Sequence, residues 1–149
     1  MTVRWTAAVL AACAWLGVGC NSDVPVPAVA VVMPGTDVTV TRVATHPFLA
    51  RFNLTLTVNA AGCSVGSDLF PDTGGVSRRN IYRDSAARLY VIGQFDVRRF
   101  DPRSCLIELM EFRSVESGLQ YLGMFDSDDT GHWSFFPPEK RSERPFQPL

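Results

Sequence analysis

The sequence predicts an all-β fold, a small antiparallel sandwich or barrel of about seven to eight strands, and three observations carry that expectation. Between Val29 and Phe136 the apolar residues recur mostly with a period of two rather than 3.6. Turn-forming residues cut the chain into short segments, as at Asp101-Pro102-Arg103-Ser104 and from Asp126 to Gly131. The span of residues 29–136 is one domain's worth of chain, so a single core is expected.

Taken in order, Asn21 to Ala28 carries Pro25 and Pro27 among small residues and reads as an extended tether within residues 20–28. Asp37 to Val43 is a strand with Val38 and Val40 opposite Thr39 and Thr41. Phe52, Leu54, Leu56 and Val58 alternate with Asn53, Thr55 and Thr57, which sends one face to a core and the other to water. Leu89 to Val97 is apolar on both faces for much of its length, as a central strand would be. Asp101-Pro102-Arg103-Ser104 reads as a type I turn into Cys105 to Phe112, making a hairpin. Leu119 to Phe125 and His132 to Phe136 form another across the polar loop between them. Helix is expected only as a turn or two near Asp84 to Arg88 or Ser114 to Gly118. The prolines of residues 137–149, set amid charges, read as a loose tail. A short echo, Ile92-Gly93-Gln94-Phe95-Asp96 and Leu122-Gly123-Met124-Phe125-Asp126, reads as two strand ends built alike, either a two-unit repeat or a coincidence.

The N-terminus reads as an address. Arg4 precedes an uncharged apolar run from Trp5 to Val18 that closes on Gly19-Cys20, the pattern of a cleaved secretory signal over residues 1–19. The run is shorter than the roughly 20 apolar residues that span a bilayer. Leu16-Gly17-Val18-Gly19-Cys20 resembles the signal of bacterial lipoproteins, although that family usually carries an aliphatic residue where Gly17 stands. Leu10-Ala11-Ala12-Cys13 has the better local pattern but leaves a short apolar region after Arg4, and an ordinary secreted protein cut elsewhere is the other alternative. The resemblance implies a cysteine, Cys20, that carries palmitate-type acyl chains and becomes the mature N-terminus. It also implies attachment to the cell envelope, and Asn21-Ser22 in place of an acidic residue implies the outer membrane facing the periplasm.

Export bears on the remaining cysteines. With Cys13 removed and Cys20 lipidated, Cys63 and Cys105 are left in an oxidising compartment, and a disulfide between them is expected over two separate buried thiols. Closing that loop stabilises a small domain by about 4 kcal/mol in the chain-entropy view. The mature chain holds 13 basic against 15 acidic side chains, which is no nucleic-acid signature. Nothing calls for a cofactor, since no CxxC occurs and His46 and His132 are the only histidines.

Several clusters could carry chemistry. Gly62-Cys63-Ser64-Val65-Gly66 fits G-x-S-x-G, but Pro71 and Gly74-Gly75 cut off the helix that a nucleophile elbow needs, so a glycine-rich loop is expected and no catalytic residue is assigned. Asp126-Ser127-Asp128-Asp129-Thr130-Gly131 resembles the opening of a calcium loop, with Asp126, Asp128 and Thr130 as weak metal candidates; Pro137 stands where the closing glutamate belongs. A basic window from Arg78 to Arg103 precedes an acidic one, so opposite charges could pair across neighbouring strands. Alternatively Arg78, Arg79, Arg98 and Arg99 form a surface for an anionic partner such as lipopolysaccharide phosphates, peptidoglycan carboxylates or an acidic protein. Trp133, Phe135 and Phe136 with Tyr121 and Phe125 are expected in the core. The reading that fits best is a non-enzymatic, lipid-anchored envelope protein that binds a periplasmic protein or glycan and no nucleic acid. A periplasmic inhibitor or immunity protein against a cell-wall hydrolase or toxin is the narrower alternative, and a small hydrolase the third.

Overall fold

The computed structural model describes residues 24–115 and 117–146 and shows an open β sandwich. The first sheet runs in sequence order through β1 (Val26–Met33), β2 (Thr36–Ala44), β3 (Phe52–Ala60) and β4 (Cys63–Asp72). The second contains β5 (Arg79–Arg83), β6 (Leu89–Ile92), β7 (Val97–Asp101), β8 (Leu106–Met110), β9 (Gln120–Ser127) and β10 (Trp133–Phe136), in the spatial order β10-β9-β5-β6-β7-β8. All neighbours are antiparallel. The sandwich alternative therefore holds, and the barrel does not.

Alternation builds the core. Val38 and Val40 of β2, Leu54, Leu56 and Val58 of β3, and Leu69 of β4 face Ile81, Leu89, Val91, Phe100, Phe125 and Trp133 of the second sheet. Their outward neighbours are polar: Thr39 pairs with Thr57 and Thr41 with Thr55 on the solvent side of the first sheet. The Trp133 indole N–H, fully buried, donates to the Val40 carbonyl at 2.9 Å, so this large ring joins the sheets without an unsatisfied donor. Cys63 and Cys105 form the expected disulfide, which ties the β3–β4 turn of one sheet to the β7–β8 turn of the other. It closes the end of the sandwich opposite to that at which β1 begins.

Ten strands occupy the described residues, more than expected, and the differences have local causes. The segment Leu89 to Val97 is not one central strand: Gly93 N–H bonds the Asp96 carbonyl at 2.9 Å, and the chain reverses between β6 and β7. The echo is coincidental, because its first copy is this turn and its second lies inside β9, where Gly123 (φ +134°) sits at a bulge against β5. The glycine-rich loop begins a strand instead, with Gly62 at φ +74° turning the chain into β4. The tether is shorter than residues 20–28, because Val26 to Ala28 already pair with β2 and Ala28 is buried. Residues 84–88 form a turn rather than helix, and a single 3-10 turn covers Phe112–Ser114.

The tail is not loose over its described part. Arg141 and Arg144 both bond Asp126 of β9, and Tyr82 of β5 donates to the Glu143 carboxylate at 3.0 Å. With Phe112, Val115 and Leu119 it covers the outer face of the second sheet, where Tyr82, Tyr90 and Val97 form a second apolar cluster. Cys20, Cys13 and the whole signal fall outside the described residues.

Candidate functional site

The four arginines assigned to an anionic surface do not form one. Arg79 is 3% exposed and points between the sheets. It donates to the carbonyls of Ser77, Arg78 and Phe70, and stands 3.5 Å from the Asp96 carboxylate. Gly93 packs flat against its guanidinium, for a Cβ there would lie 2.6 Å from Arg79 Cζ. Asp96, itself buried, also accepts from Phe70 N–H at 2.9 Å and sits 3.6 Å from Arg98 Nε. Burial pushes the Arg79 pKa down, and Asp96 and Asp72 oppose that shift. This is a structural ion cluster that joins β4, β5 and the β6–β7 turn. Arg99 pairs with Glu108 directly opposite it on β8, as cross-strand charge pairing requires. Arg78 and Arg99 turn to the outer face, Arg99 opposite Tyr90 and paired to Glu108, and Arg78 4.3 Å from the Phe146 ring.

The remaining candidates are likewise placed. Ser64 lies on the outward face of β4 and donates to Asn59 Oδ1 at 2.7 Å. His132 stands at the other end of the sandwich, bonded to Ser134, so the G-x-S-x-G serine and the histidine that would serve it are not assembled. In the acidic turn, Asp128 accepts from the N–H groups of Thr130 and His132 and from the Thr130 hydroxyl. Those hydrogen bonds hold its carboxyl below the usual range. Asp126 is engaged by Arg141 and Arg144, so the weak metal candidates Asp126, Asp128 and Thr130 have their oxygens committed elsewhere. Among the described residues no group of three or more His, Cys, Asp or Glu side chains converges as a metal site.

A groove on the outer face of the second sheet, which the sequence did not single out, has the composition to receive a ligand. It measures about 330 Å³ and is lined by Tyr82, Ile92, Phe112, Val115 and Leu119, with Glu143, Pro145 and Phe146 of the tail along one side. Apolar walls with a few convergent polar groups are the usual composition of a binding site. The polar groups here come from β5 and the tail. Asn80 Nδ2 donates to the Arg144 carbonyl at 2.9 Å and to the Tyr82 hydroxyl at 3.1 Å. Tyr82 packs against Tyr121 with ring centroids 5.6 Å apart. Burial is the main cause that pushes the Tyr82 pKa up to about 12; Glu143 adds to the shift and Asn80 opposes it. The phenol is therefore a neutral donor at any physiological pH.

The groove escaped sequence reading because its residues come from three separate segments. By sequence pattern Ile92 falls in a central strand, Phe112 and Leu119 at the ends of two different hairpin strands and Pro145 in a loose tail. The faint signal was Asn80-Ile81-Tyr82, whose alternate residues are polar and whose central one is apolar. Compared with known proteins, the chain matches no protein-family model, no curated protein and no solved structure.

Proposed function

We propose that this chain is a lipid-anchored envelope protein, held at the membrane through Cys20, whose β domain binds an extended segment of a periplasmic protein. The observation that carries the binding reading is that the groove already holds such a segment in cis: residues 143–146 lie along it, with a backbone carbonyl taken by Asn80 and a side chain by Tyr82. A surface that recognises backbone and apolar side chains together suits a peptide better than a sugar. The cysteine pattern supports export, because the Cys63–Cys105 bond belongs to an oxidising compartment. Work as a periplasmic inhibitor or immunity protein is a special case of the same binding mode.

Two measurements test the two halves. Labelled palmitate should incorporate into the full chain and be lost on Cys20→Ala; retention of label with loss on Cys13→Ala would move the anchor. A photoreactive amino acid placed at Leu119 should form protein adducts in membranes, and one placed at Thr57 on the opposite face should not. Glycan adducts at Leu119, or equal protein adducts at both positions, would overturn the peptide reading.

A further inference from the structure

Most of the large apolar side chains left exposed among the described residues gather at one end of the sandwich. The register defines that end. Val26 opens β1 opposite Arg42 near the close of β2, and Ala44 faces Phe52 across the loop 45–51. Phe52 in turn faces Asp72 at the close of β4. The β6–β7 turn joins the same end through the bond from Phe70 N–H to Asp96. Val24, Phe48, Leu49, Phe70, Val76 and Phe95 all stand exposed there.

Phe48 is the extreme case at 86% exposure. It is not a frayed residue, because His46 Nδ1 accepts from the N–H groups of Phe48 and Leu49 at 3.1 and 3.0 Å and fixes the turn that presents them. An aromatic ring held out from an ordered turn is unfavourable in water and is stabilised only by something that covers it. The chain outside the described residues indicates what that is. Cys20 precedes Val24 by four residues, a span of at most about 14 Å at full extension. Val24 leads directly into β1 at this same end. Arg51 stands exposed beside the tip, its N–H bonded to the Leu49 carbonyl. Asp128 and Asp129 occupy the β9–β10 turn at the same end, beneath the other sheet, so loop 45–51 and not that turn would lead toward an anionic surface.

The geometry points to this end as a bilayer-facing surface, in which Phe48 and Leu49 enter the headgroup and acyl boundary of the membrane that carries Cys20. The inference rests on the lipid anchoring proposed above. Apolar tips with cations beside them bind shallowly at such interfaces, and a lipid chain with a second weak contact fixes orientation as well as attachment. The groove of the second sheet then stands side-on to the membrane, open to the periplasm.

The test uses the full chain purified from membranes and reconstituted into phosphatidylethanolamine and phosphatidylglycerol vesicles, with acyl chains brominated close to the headgroup. Phe48→Trp reports on the tip, and Thr57→Trp reports on the middle of the first sheet. Quenching of most of the Phe48→Trp emission, with little for Thr57→Trp, is the expected result. Adding Leu49→Asp should remove that quenching, and unchanged thermal unfolding would show that the fold survived. An unquenched Phe48→Trp on a chain that carries palmitate overturns the inference and leaves the anchor standing. Quenching without palmitate supports the bilayer-facing end and overturns the anchor. Quenching equal at both positions also overturns the inference.

Discussion

At the residue scale, two positions govern the ion cluster between the sheets. Gly93 is where the Arg79 guanidinium lies flat, and a methyl group there would have to displace a buried side chain held by three carbonyls. Gly93→Ala should destabilise the fold by about 1–3 kcal/mol, the usual cost of overpacking, measured by denaturant unfolding. Asp96 compensates Arg79 from a fully buried position, so Asp96→Ala should cost about 3–5 kcal/mol by leaving the cation unpaired. Replacing both, as Arg79→Met with Asp96→Leu, should recover much of that loss; no recovery would mean the carbonyl bonds dominate. Asp84 supplies a pH signature. Burial alone would raise its pKa, but hydrogen bonds from the Arg88 N–H and guanidinium and from the Ala86 N–H outweigh it and hold the carboxyl low. The folded state thus binds this proton less readily than the unfolded chain. Its contribution is complete above about pH 4 and is lost as pH falls below that. Asp84→Asn should flatten the acid limb of a stability profile, and an unchanged limb would show that another group controls it.

At the element scale, the strongest staple is the Cys63–Cys105 bond across 42 positions of sequence, which joins turns of opposite sheets. Replacing both cysteines with alanine should cost about 4 kcal/mol in the chain-entropy view, read as a lower thermal midpoint that reductant no longer changes. How far the strands were legible follows from what each shows to water. β3 was plain because every outward residue from Asn53 to Thr57 is polar and every inward one apolar. β4 was hidden because Gly66 and Pro71 resemble turn residues and its inward face includes Ser67. β5 was hidden because both its faces are covered, so Arg79 and Asn80 are buried polar groups that break the pattern. β6 and β7 merged because their turn, Gly93 to Asp96, carries no proline and only one glycine. The arginine site misread follows from the same point. Which of Arg78 and Arg79 faces inward depends on where β5 begins, and composition does not say.

At the scale of the whole molecule, the sandwich has a third layer that the prolines disguised. The tail from Pro137 holds Asp126, Tyr82 and Asn80 through named bonds and screens the outer cluster from water. Ending the chain at Phe136 should therefore destabilise the second sheet, increase binding of an apolar dye and bring the Tyr82 phenol down from about 12 toward the ordinary tyrosine value. In the intact chain the raised value means that stability is fully present below about pH 10 and is lost as pH rises toward the folded value. An ultraviolet titration of the two forms reads both effects. Retention of the high value after truncation would show that the sheet alone buries the ring.

The position of β1 has a mechanical consequence. Among the described residues this strand is hydrogen-bonded to β2 alone, and it begins at the end where the described chain enters the domain. A pull applied at Val24 and resisted by a partner in the outer groove runs along the strand axis. Seven cross-strand positions then share the strain, because β1 can leave only by sliding past β2 and not by opening one pair after another. Under the anchoring and binding proposed above, a tether there would load the domain in its stiffest direction, and tugging between membrane and partner would reach the sheet as shear. Single-molecule extension from residue 24 should meet a higher rupture force than extension across the β1–β2 turn at Gly35.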